Sequence, residues 1–313
     1  MIRIGVSACL LGEEVRFDGG HKHDHFLTDV LGPHVEFVPV CPEVEMGLGT
    51  PRETLRLVRQ GDGVRMITTR TAIDHTDAME AWAARRLDAL EREDLCGYVL
   101  KKDSPSCGME RVKTYAADGM PRRDGRGLYA AALLQRLPLL PVEEEGRLTD
   151  PVLRENFIER VFAFRRLRDL FSSRWTVGSL VRFHTAHKMS LLAHSTRAYE
   201  ELGRLVAAAT AIPRGQLRDR YGSAFMATLT TPATRARHTN VLQHMAGHLK
   251  KALDAGSREE LASTILDYRN SLVPLVVPLT LIRHHVRVHD VRYLQGQTYL
   301  EPHPRELMLR NHV

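Results

Sequence analysis

Three cysteines stand where short apolar runs of β-strand character end and loops begin. The runs and the cysteines that follow them are 2–6 with Cys9, 35–40 with Cys41, and 98–100 with Cys107. In an open α/β sheet the carboxyl ends of parallel strands share one edge, and ligands bind in the crevice outside that edge. We therefore expect the three thiols, although distant in sequence, to form one site.

The fourth cysteine is placed differently. Cys96 precedes the run 98–100, so it is expected at the opposite end of that strand, as a buried core thiol. Four cysteines among 313 residues do not suggest a disulfide framework. In a reducing compartment they are interpreted as metal ligands, catalytic thiols or core residues.

Length and charge divide the chain into two halves. A chain of 313 residues exceeds what one hydrophobic core usually organises, so two domains are expected. Residues 1–150 carry 20 Lys+Arg and 25 Asp+Glu, a net charge of −5, whereas residues 151–313 carry 24 and 13, a net charge of +11. A basic half joined to an acidic half indicates a polyanionic partner for the basic half. The alternative is that the positive excess only makes the surface soluble.

The first half alternates strands with helices. Besides the cysteine runs, 64–68 and 138–142 are predicted strands and 75–93 and 127–137 are predicted helices. The helix 75–93 should turn four large apolar residues inward: Met79, Trp82, Leu87 and Leu90. This alternation predicts an α/β fold with a Rossmann-like, mostly parallel sheet and the three cysteines at strand carboxyl ends.

An acidic stretch, 143–146, resembles a surface connector, and Asp150 with Pro151 forms a strong helix start. Beyond it the apolar residues follow helical spacing, with one of the predicted helical segments covering 181–208, so an all-α domain is expected. The predicted domain bounds are 1–148, a connecting helix 149–173, and a basic helical domain 174–313.

No export signal is visible at the start of the chain. The longest apolar stretch, 272–282, is too short to span a bilayer and contains Pro274 and Pro278. The protein is therefore expected to be soluble and cytoplasmic, without a membrane partner. Its oligomeric state does not follow from the sequence.

Three thiols at one edge are compatible with several kinds of site. Structural zinc sites commonly draw ligands from short knuckles such as C-x-x-C, and no two of these cysteines lie so close together. A single nucleophilic cysteine would not explain three equivalent placements. A [4Fe–4S] cluster normally takes four cysteines, but three can hold it and leave one iron open to a ligand. A cluster, zinc and separate structural thiols all remain open at this point.

The motifs around these cysteines resemble those of the thiouracil desulfidase family. They are Ser7-Ala8-Cys9-Leu10-Leu11-Gly12 with Val15-Arg16-Phe17-Asp18-Gly19, Cys41-Pro42-Glu43 with Gly47-Leu48-Gly49-Thr50-Pro51-Arg52, and Ser104-Pro105-Ser106-Cys107-Gly108. Three motifs in the same order over about the first 140 residues form a specific match. The resemblance implies that Cys9, Cys41 and Cys107 hold a [4Fe–4S] cluster whose open iron takes sulfur from a thiocarbonyl.

Two further residues are candidates for catalysis. Glu43, two residues after a cysteine, is our choice for the base that activates water, because a carboxylate there would lie beside the reacting carbon. Ser104, three residues before Cys107, is our choice for a hydrogen-bonding or proton-relaying group. Both also align with the family's proposed catalytic glutamate and serine. Glu45 is the rival for the carboxylate role, and a salt bridge, a helix cap or a turn could instead explain these residues.

The second half resembles a helical domain of the YbgA type. The matching stretches are His184-Thr185-Ala186-His187-Lys188 with His194-Ser195, His238-Thr239-Asn240-Val241-Leu242, and Gln295-Gly296-Gln297-Thr298-Tyr299-Leu300. This resemblance implies fusion to a desulfidase and removal of sulfur from 4-thiouridine in tRNA, which agrees with the net charge of +11. Basic residues that would contact the RNA are Arg165, Arg166, Arg168, Arg174, Arg182 and Lys188.

The leading hypothesis is thus a [4Fe–4S]-dependent desulfidase that converts 4-thiouridine in tRNA to uridine. One alternative keeps the chemistry but makes a free thiolated base, such as thiouracil, the substrate. The other alternative is a non-catalytic nucleic-acid-binding accessory protein whose cluster or zinc is structural.

Overall fold

A four-stranded parallel sheet organises the first of the two units into which the chain divides, Met1–Asp150 and Pro151–Val313. The computed structural model describes residues 2–61, 63–116, 119–172 and 174–312. The strands are β1 (Ile2–Ser7), β2 (Val35–Val40), β3 (Leu55–Gln60), β4 (Gly63–Thr68), β5 (Leu95–Leu100), β6 (Val112–Tyr115), β7 (Pro121–Gly125) and β8 (Val142–Glu144). The parallel sheet has the order β2-β1-β5-β8. The predicted α/β fold followed by an all-α region is confirmed.

Strand β1 lies inside this sheet because both of its neighbours pair with it in parallel. Ile4 and Val6 are completely buried. Between them, Gly5 makes room for the ring of Tyr98 on β5, since a Cβ at Gly5 would lie 2.2 Å from a ring carbon. The chain leaves β1 toward β2 on one side and returns to β5 on the other. Such a reversal of strand order opens a crevice at the carboxyl end of the central strand.

A second sheet, not predicted from the sequence beyond the strand 64–68, forms from two excursions of the same unit. Its order is β4-β3-β6-β7, with antiparallel hairpins at both sides. The two hairpins join where β3 and β6 pair in parallel, Leu57 opposite Thr114 and Val58 opposite Tyr115. This pairing connects segments more than 50 residues apart, so local periodicity could not reveal it.

Three helices belong to the first unit: α1 (Pro42–Glu45), α2 (Thr76–Arg92) and α3 (Leu128–Arg136). All four residues predicted to face inward from α2 are buried. The ring of Trp82 lies 5.4 Å from the ring of Tyr129 on α3, which joins the two helices. Cys96 is completely buried at the amino end of β5, as expected.

The interpretation of 143–146 as a surface connector is wrong. Strand β8 includes Glu143 and Glu144, which are buried, and it pairs with β5. Glu143 is offset by Arg147, and Glu144 accepts a hydrogen bond from the backbone N–H of Met109 at 2.6 Å. Buried carboxylates with such partners are tolerated in a core, so acidic composition alone did not identify a linker.

The second unit is helical. Its helices are α4 (Pro151–Ser172), α5 (Val177–His194), α6 (Thr196–Ala207), α7 (Arg214–Leu229), α8 (Arg235–Leu249), α9 (Ala255–Arg269), α10 (Val276–Val288) and α11 (Arg292–Gln295). Helix α4 begins at Pro151, as predicted. The single predicted segment 181–208 is divided at Ser195, whose side chain caps α6 by accepting from the N–H of Ala198. None of the described helices is long and apolar enough to cross a membrane.

Candidate active site

The three cysteines meet at the carboxyl edge of the parallel sheet. Cys9 follows β1 in a 3₁₀ turn, Cys41 directly follows β2, and Cys107 lies in the loop after β5. All three line one cavity of about 360 Å³. Cys96 is not among its lining residues. The structure therefore brings together the thiols that the sequence placed at one edge.

These thiols are neutral when nothing else shares the cavity. All four cysteines of the chain are free, and Cys9 and Cys107 are buried while Cys41 is half-buried. Burial raises the pKa of the Cys9 thiol to about 11, with Lys101 opposing and the neighbouring Cys41 adding to the shift. Burial likewise raises the pKa of Cys107 and of Cys41.

This donor set fits an iron–sulfur cluster. Thiolate sulfur is the preferred ligand of such clusters and of other thiophilic metals. Three thiols whose ionisation is unfavourable in a cavity become good ligands once a metal centre takes the place of their protons. Because Cys96 lies elsewhere, the cavity offers three cysteine ligands and leaves a fourth position to another molecule.

Glu43 extends from α1 into this cavity. Its carboxylate is held at Oε2 by the Arg52 guanidinium, with Nε at 2.9 Å. At Oε1 it accepts a hydrogen bond of 2.7 Å from the Ser106 hydroxyl. Both the Arg52 and Glu43 side chains are largely buried, at 7% and 14% exposure. The carboxylate is thus fixed in position beside the three thiols.

Glu45, the rival carboxylate, is directed elsewhere. Its Oε1 accepts from the backbone N–H of Cys41 at 3.1 Å, and its Oε2 pairs with Arg86 at 3.0 Å. It is not a lining residue of the cavity, whereas Glu43 is. Glu45 therefore stabilises the turn that presents Cys41, and Glu43 faces the cavity.

Ser104 lies on the same wall but acts first on its own loop. Its Oγ accepts hydrogen bonds from the N–H groups of Cys107 at 3.1 Å and Ser106 at 3.3 Å. It also lies 2.9 Å from Oγ of Ser106. Since Ser106 contacts Glu43, the three side chains form a continuous hydrogen-bonded chain. Sequence reasoning missed Ser106 and Arg52, although both lie within the quoted motifs.

The loop that carries Cys107 is anchored to the start of α3. The N–H groups of Gly127, Leu128 and Ala130 donate to the carbonyls of Gly108, Pro105 and Ser106, respectively. A Cβ at Gly127 would lie 2.4 Å from the carbonyl oxygen of Ser106. This close approach explains why glycine precedes the helix.

The two lysines after β5 differ in their surroundings. Lys101 lines the cavity and forms an ion pair with Glu145, whose other carboxylate oxygen accepts from the N–H of Lys102 at 2.7 Å. Lys101 is thus paired within the unit, and the Lys102 side chain is exposed.

The proposed RNA contacts of the second unit are placed unequally. Arg166 differs from the prediction because its guanidinium donates to His187 Nε2 at 3.3 Å and to the carbonyl of Pro302 at 2.9 Å. Burial also lowers its pKa. Arg174 and Arg182 are exposed. The other three predicted contacts, Arg165, Arg168 and Lys188, are half-buried.

One further group of possible metal ligands lies in the first unit. Donor atoms of His23, His25 and Asp29 lie within 4.8 Å of one another on the surface. His25 Nδ1 already contacts Asp29 Oδ2 at 3.0 Å, and His23 Nε2 contacts the Thr28 hydroxyl at 3.0 Å. These mutual hydrogen bonds account for the grouping, and we assign no metal to it.

Two protein families match the chain. The family described as 2-thiouracil desulfurase matches residues 4–145, and a family of unknown function, DUF1722, matches residues 188–304. The chain is 35% identical over 156 residues to the uncharacterised protein YbgA of Escherichia coli (strain K12), covering 49% of this chain and 90% of YbgA. It is 30% identical over 135 residues to the uncharacterised protein YbbK of Bacillus subtilis (strain 168), covering 42% of this chain and 88% of YbbK.

A solved structure also matches, that of the [4Fe-4S]-dependent thiouracil desulfidase TudS, with 31% identity and a TM-score of 0.40. The match covers 50% of this chain and all of that one. Taken with its relatives, the chain belongs to the 2-thiouracil desulfurase family and continues with a DUF1722 unit of the YbgA type.

Proposed function

We propose that this protein is a [4Fe–4S]-dependent desulfidase that converts 4-thiouridine in tRNA to uridine. The observation that carries the proposal is the convergence of Cys9, Cys41 and Cys107 on one cavity, beside the carboxylate of Glu43. Family membership supports the desulfidase chemistry, and the charge of the second half supports the RNA substrate.

Cys9, Cys41 and Cys107 would hold the cluster. When bound, the cluster supplies a Lewis-acidic iron with an affinity for sulfur. Replacing the thiocarbonyl sulfur by oxygen consumes one water and releases one sulfide. The carbon–sulfur bond breaks, a carbon–oxygen bond forms, and both protons of the water leave it. No electron donor or acceptor is needed.

Glu43 would take the first proton from the water. The salt bridge to Arg52 at Oε2 orients the carboxylate, and Oε1 is reached only by the Ser106 hydroxyl among the described contacts. A base must lie within hydrogen-bond reach of the proton that it removes, and a fixed carboxylate at the cavity wall meets that condition. Ser106 and Ser104 would then pass or share the proton through their hydroxyls.

The basic second half supports tRNA over a free base. Lysine and arginine side chains that neutralise phosphates provide most nucleic-acid affinity. The net charge of +11 over residues 151–313 has no evident use in binding an uncharged base. Arg174 and Arg182 are exposed and so are the best-placed of the predicted contacts.

A free thiolated base is the second candidate, because the matching family is described by its action on 2-thiouracil. Its cavity need not extend beyond the three cysteines and Glu43. In that case the charge of the second half would serve another purpose.

The test is an anaerobic assay with the reconstituted full chain. Thiolated tRNA and free thiouracil are incubated separately, and the loss of thiocarbonyl absorbance and the appearance of uridine or uracil are followed by mass spectrometry. Cluster-dependent conversion of the tRNA supports the proposal. Conversion of thiouracil alone favours the second candidate, and conversion of neither by a protein with a full iron content favours a non-catalytic binding role.

A further inference from the structure

A second cavity adjoins the cysteine cavity within the first unit. Its volume is about 480 Å³, and it is lined mostly by the second sheet. The two cavities share four lining residues, Thr54, Leu55, Asp103 and Pro105. A molecule bound in the first cavity can therefore extend into the second without leaving the protein surface.

The lining of this adjoining cavity is basic. Arg56, Lys113 and Arg123 contribute positive charges, and Asp103 is the only acidic residue among the described lining residues. Arg123 is paired with Asp103 at 3.0 Å. Within the described part of the chain, no carboxylate lies within ion-pair distance of Lys113 or Arg56, so two positive charges remain uncompensated.

Arg56 is positioned for a ligand. Its guanidinium carbon lies 5.6 Å from the centre of the Tyr115 ring, and its Nε is buried without a hydrogen-bond partner among the described residues. A buried donor without a partner carries a free-energy cost that an anionic acceptor would remove. Because β3 and β6 pair in parallel, Arg56 and Tyr115 are held together by the sheet itself.

We propose that this adjoining cavity binds the phosphate and ribose of a nucleotide whose thiolated base occupies the cysteine cavity. Arg56 and Lys113 would neutralise the phosphate, and Tyr115 would pack against the sugar. Guanidinium groups bind phosphate through two parallel hydrogen bonds, which gives both affinity and orientation. The inference rests on the proposed desulfidase function and assigns its substrate class as phosphorylated, whether a mononucleotide or a residue of an RNA chain.

The experiment compares 4-thiouridine 5′-monophosphate with 4-thiouridine as substrates of the reconstituted full chain. Arg56→Gln and Lys113→Gln are tested alone and together, because neutral glutamine keeps a polar side chain of similar length. The control is Arg59→Gln on the same strand, which pairs with Asp124 and lines neither cavity. We expect the double variant to lower the kcat/KM ratio of nucleotide to nucleoside at least tenfold, and the control to leave it unchanged. An unchanged ratio in the double variant would overturn the inference.

A binding measurement separates this inference from the proposed function. Equilibrium dialysis with UMP needs no turnover and no thiolated substrate. UMP binding that is lost in the double variant and kept in Arg59→Gln supports the cavity even if no substrate is converted, a result that would reject the desulfidase proposal alone. Absent UMP binding, or equal binding by all variants, rejects the cavity even if tRNA is converted. Slower turnover of thiolated tRNA by the double variant would identify RNA as the source of the phosphate.

Discussion

The hydroxyl of Ser106 donates a hydrogen bond of 2.7 Å to Oε1 of Glu43 and so joins the loop after β5 to the helix after β2. With Arg52 at Oε2, both oxygens of this carboxylate are engaged by side chains from different segments. The carboxylate is therefore set by three separate parts of the chain that meet at one cavity.

Removing this hydrogen bond should slow turnover without loss of the cluster. In Ser106→Ala, Oε1 of Glu43 loses its donor and the carboxylate becomes free to rotate. We expect kcat to fall on the order of tenfold or more, within the range of general acid–base effects. Iron content and cluster absorbance serve as the control and should match the wild type. Unchanged kcat would show that Ser106 has no part in positioning Glu43.

The two neighbouring carboxylates can be separated by a matched pair of substitutions. Glu43→Gln keeps the size of the side chain but removes the base, so kcat should fall about 10²-fold or more. Glu45→Gln keeps an acceptor for the Cys41 N–H and loses only the pairing with Arg86, so kcat should change by no more than a few-fold. The opposite pattern would assign the base to Glu45.

The cysteines should divide into two classes by iron content. Cys9→Ser removes one of the three proposed ligands and should abolish the cluster. Cys96→Ser lies in the core, away from the cavity, and should keep the iron while costing no more than about 3 kcal/mol of stability. The measurement is iron per chain after reconstitution. Loss of iron in Cys96→Ser would contradict a cluster with three cysteine ligands.

The junction at Gly127 provides a test of how the Cys107 loop is held. In Gly127→Ala the new Cβ would meet the Ser106 carbonyl oxygen at 2.4 Å, so the loop must shift. We expect a loss of about 1–3 kcal/mol in the free energy of unfolding together with lower iron content. The matched substitution Gly63→Ala places its Cβ at an ordinary 3.8 Å from Gln60 and should change neither quantity. Equal effects of the two would indicate that the loop is not anchored there.

Acid should destabilise the second unit because it buries neutral histidines. Burial lowers the pKa of His187 and of His238 to about 3, against about 6.5 in an unfolded chain. Below pH 6.5 the unfolded state therefore binds more protons, and stability falls as the pH falls. At pH 5 each such histidine costs about 2 kcal/mol.

Thermal unfolding followed by circular dichroism at pH 7 and pH 5 measures this effect. The variant His238→Gln carries no titrating ring and should lose less stability over that interval than the wild type. His244→Gln, an exposed position on the same helix α8, is the control and should behave like the wild type. A pH response unaltered in His238→Gln would mean that this histidine is not buried neutral.

Much of the second unit also followed from local pattern, and its exception is instructive. Periodicity predicted helices throughout, yet the segment 181–208 is two helices. The break depends on Ser195, whose hydroxyl competes for backbone hydrogen bonds as an N-cap. Apolar spacing continues across such a cap, so periodicity alone did not reveal it.

The sequence by itself determined which residues meet at the sheet edge. Strand carboxyl ends share an edge whatever the detailed packing, so the positions of Cys9, Cys41 and Cys107 after apolar runs were sufficient. Only the tertiary structure decided which carboxylate faces the cavity. Glu43 and Glu45 are two residues apart and hence about 200° apart around a helix, and their directions depend on where Arg52 and Arg86 lie. The second sheet likewise required pairing between distant hairpins, because a hydrogen-bonded register between separate segments is absent from any local pattern.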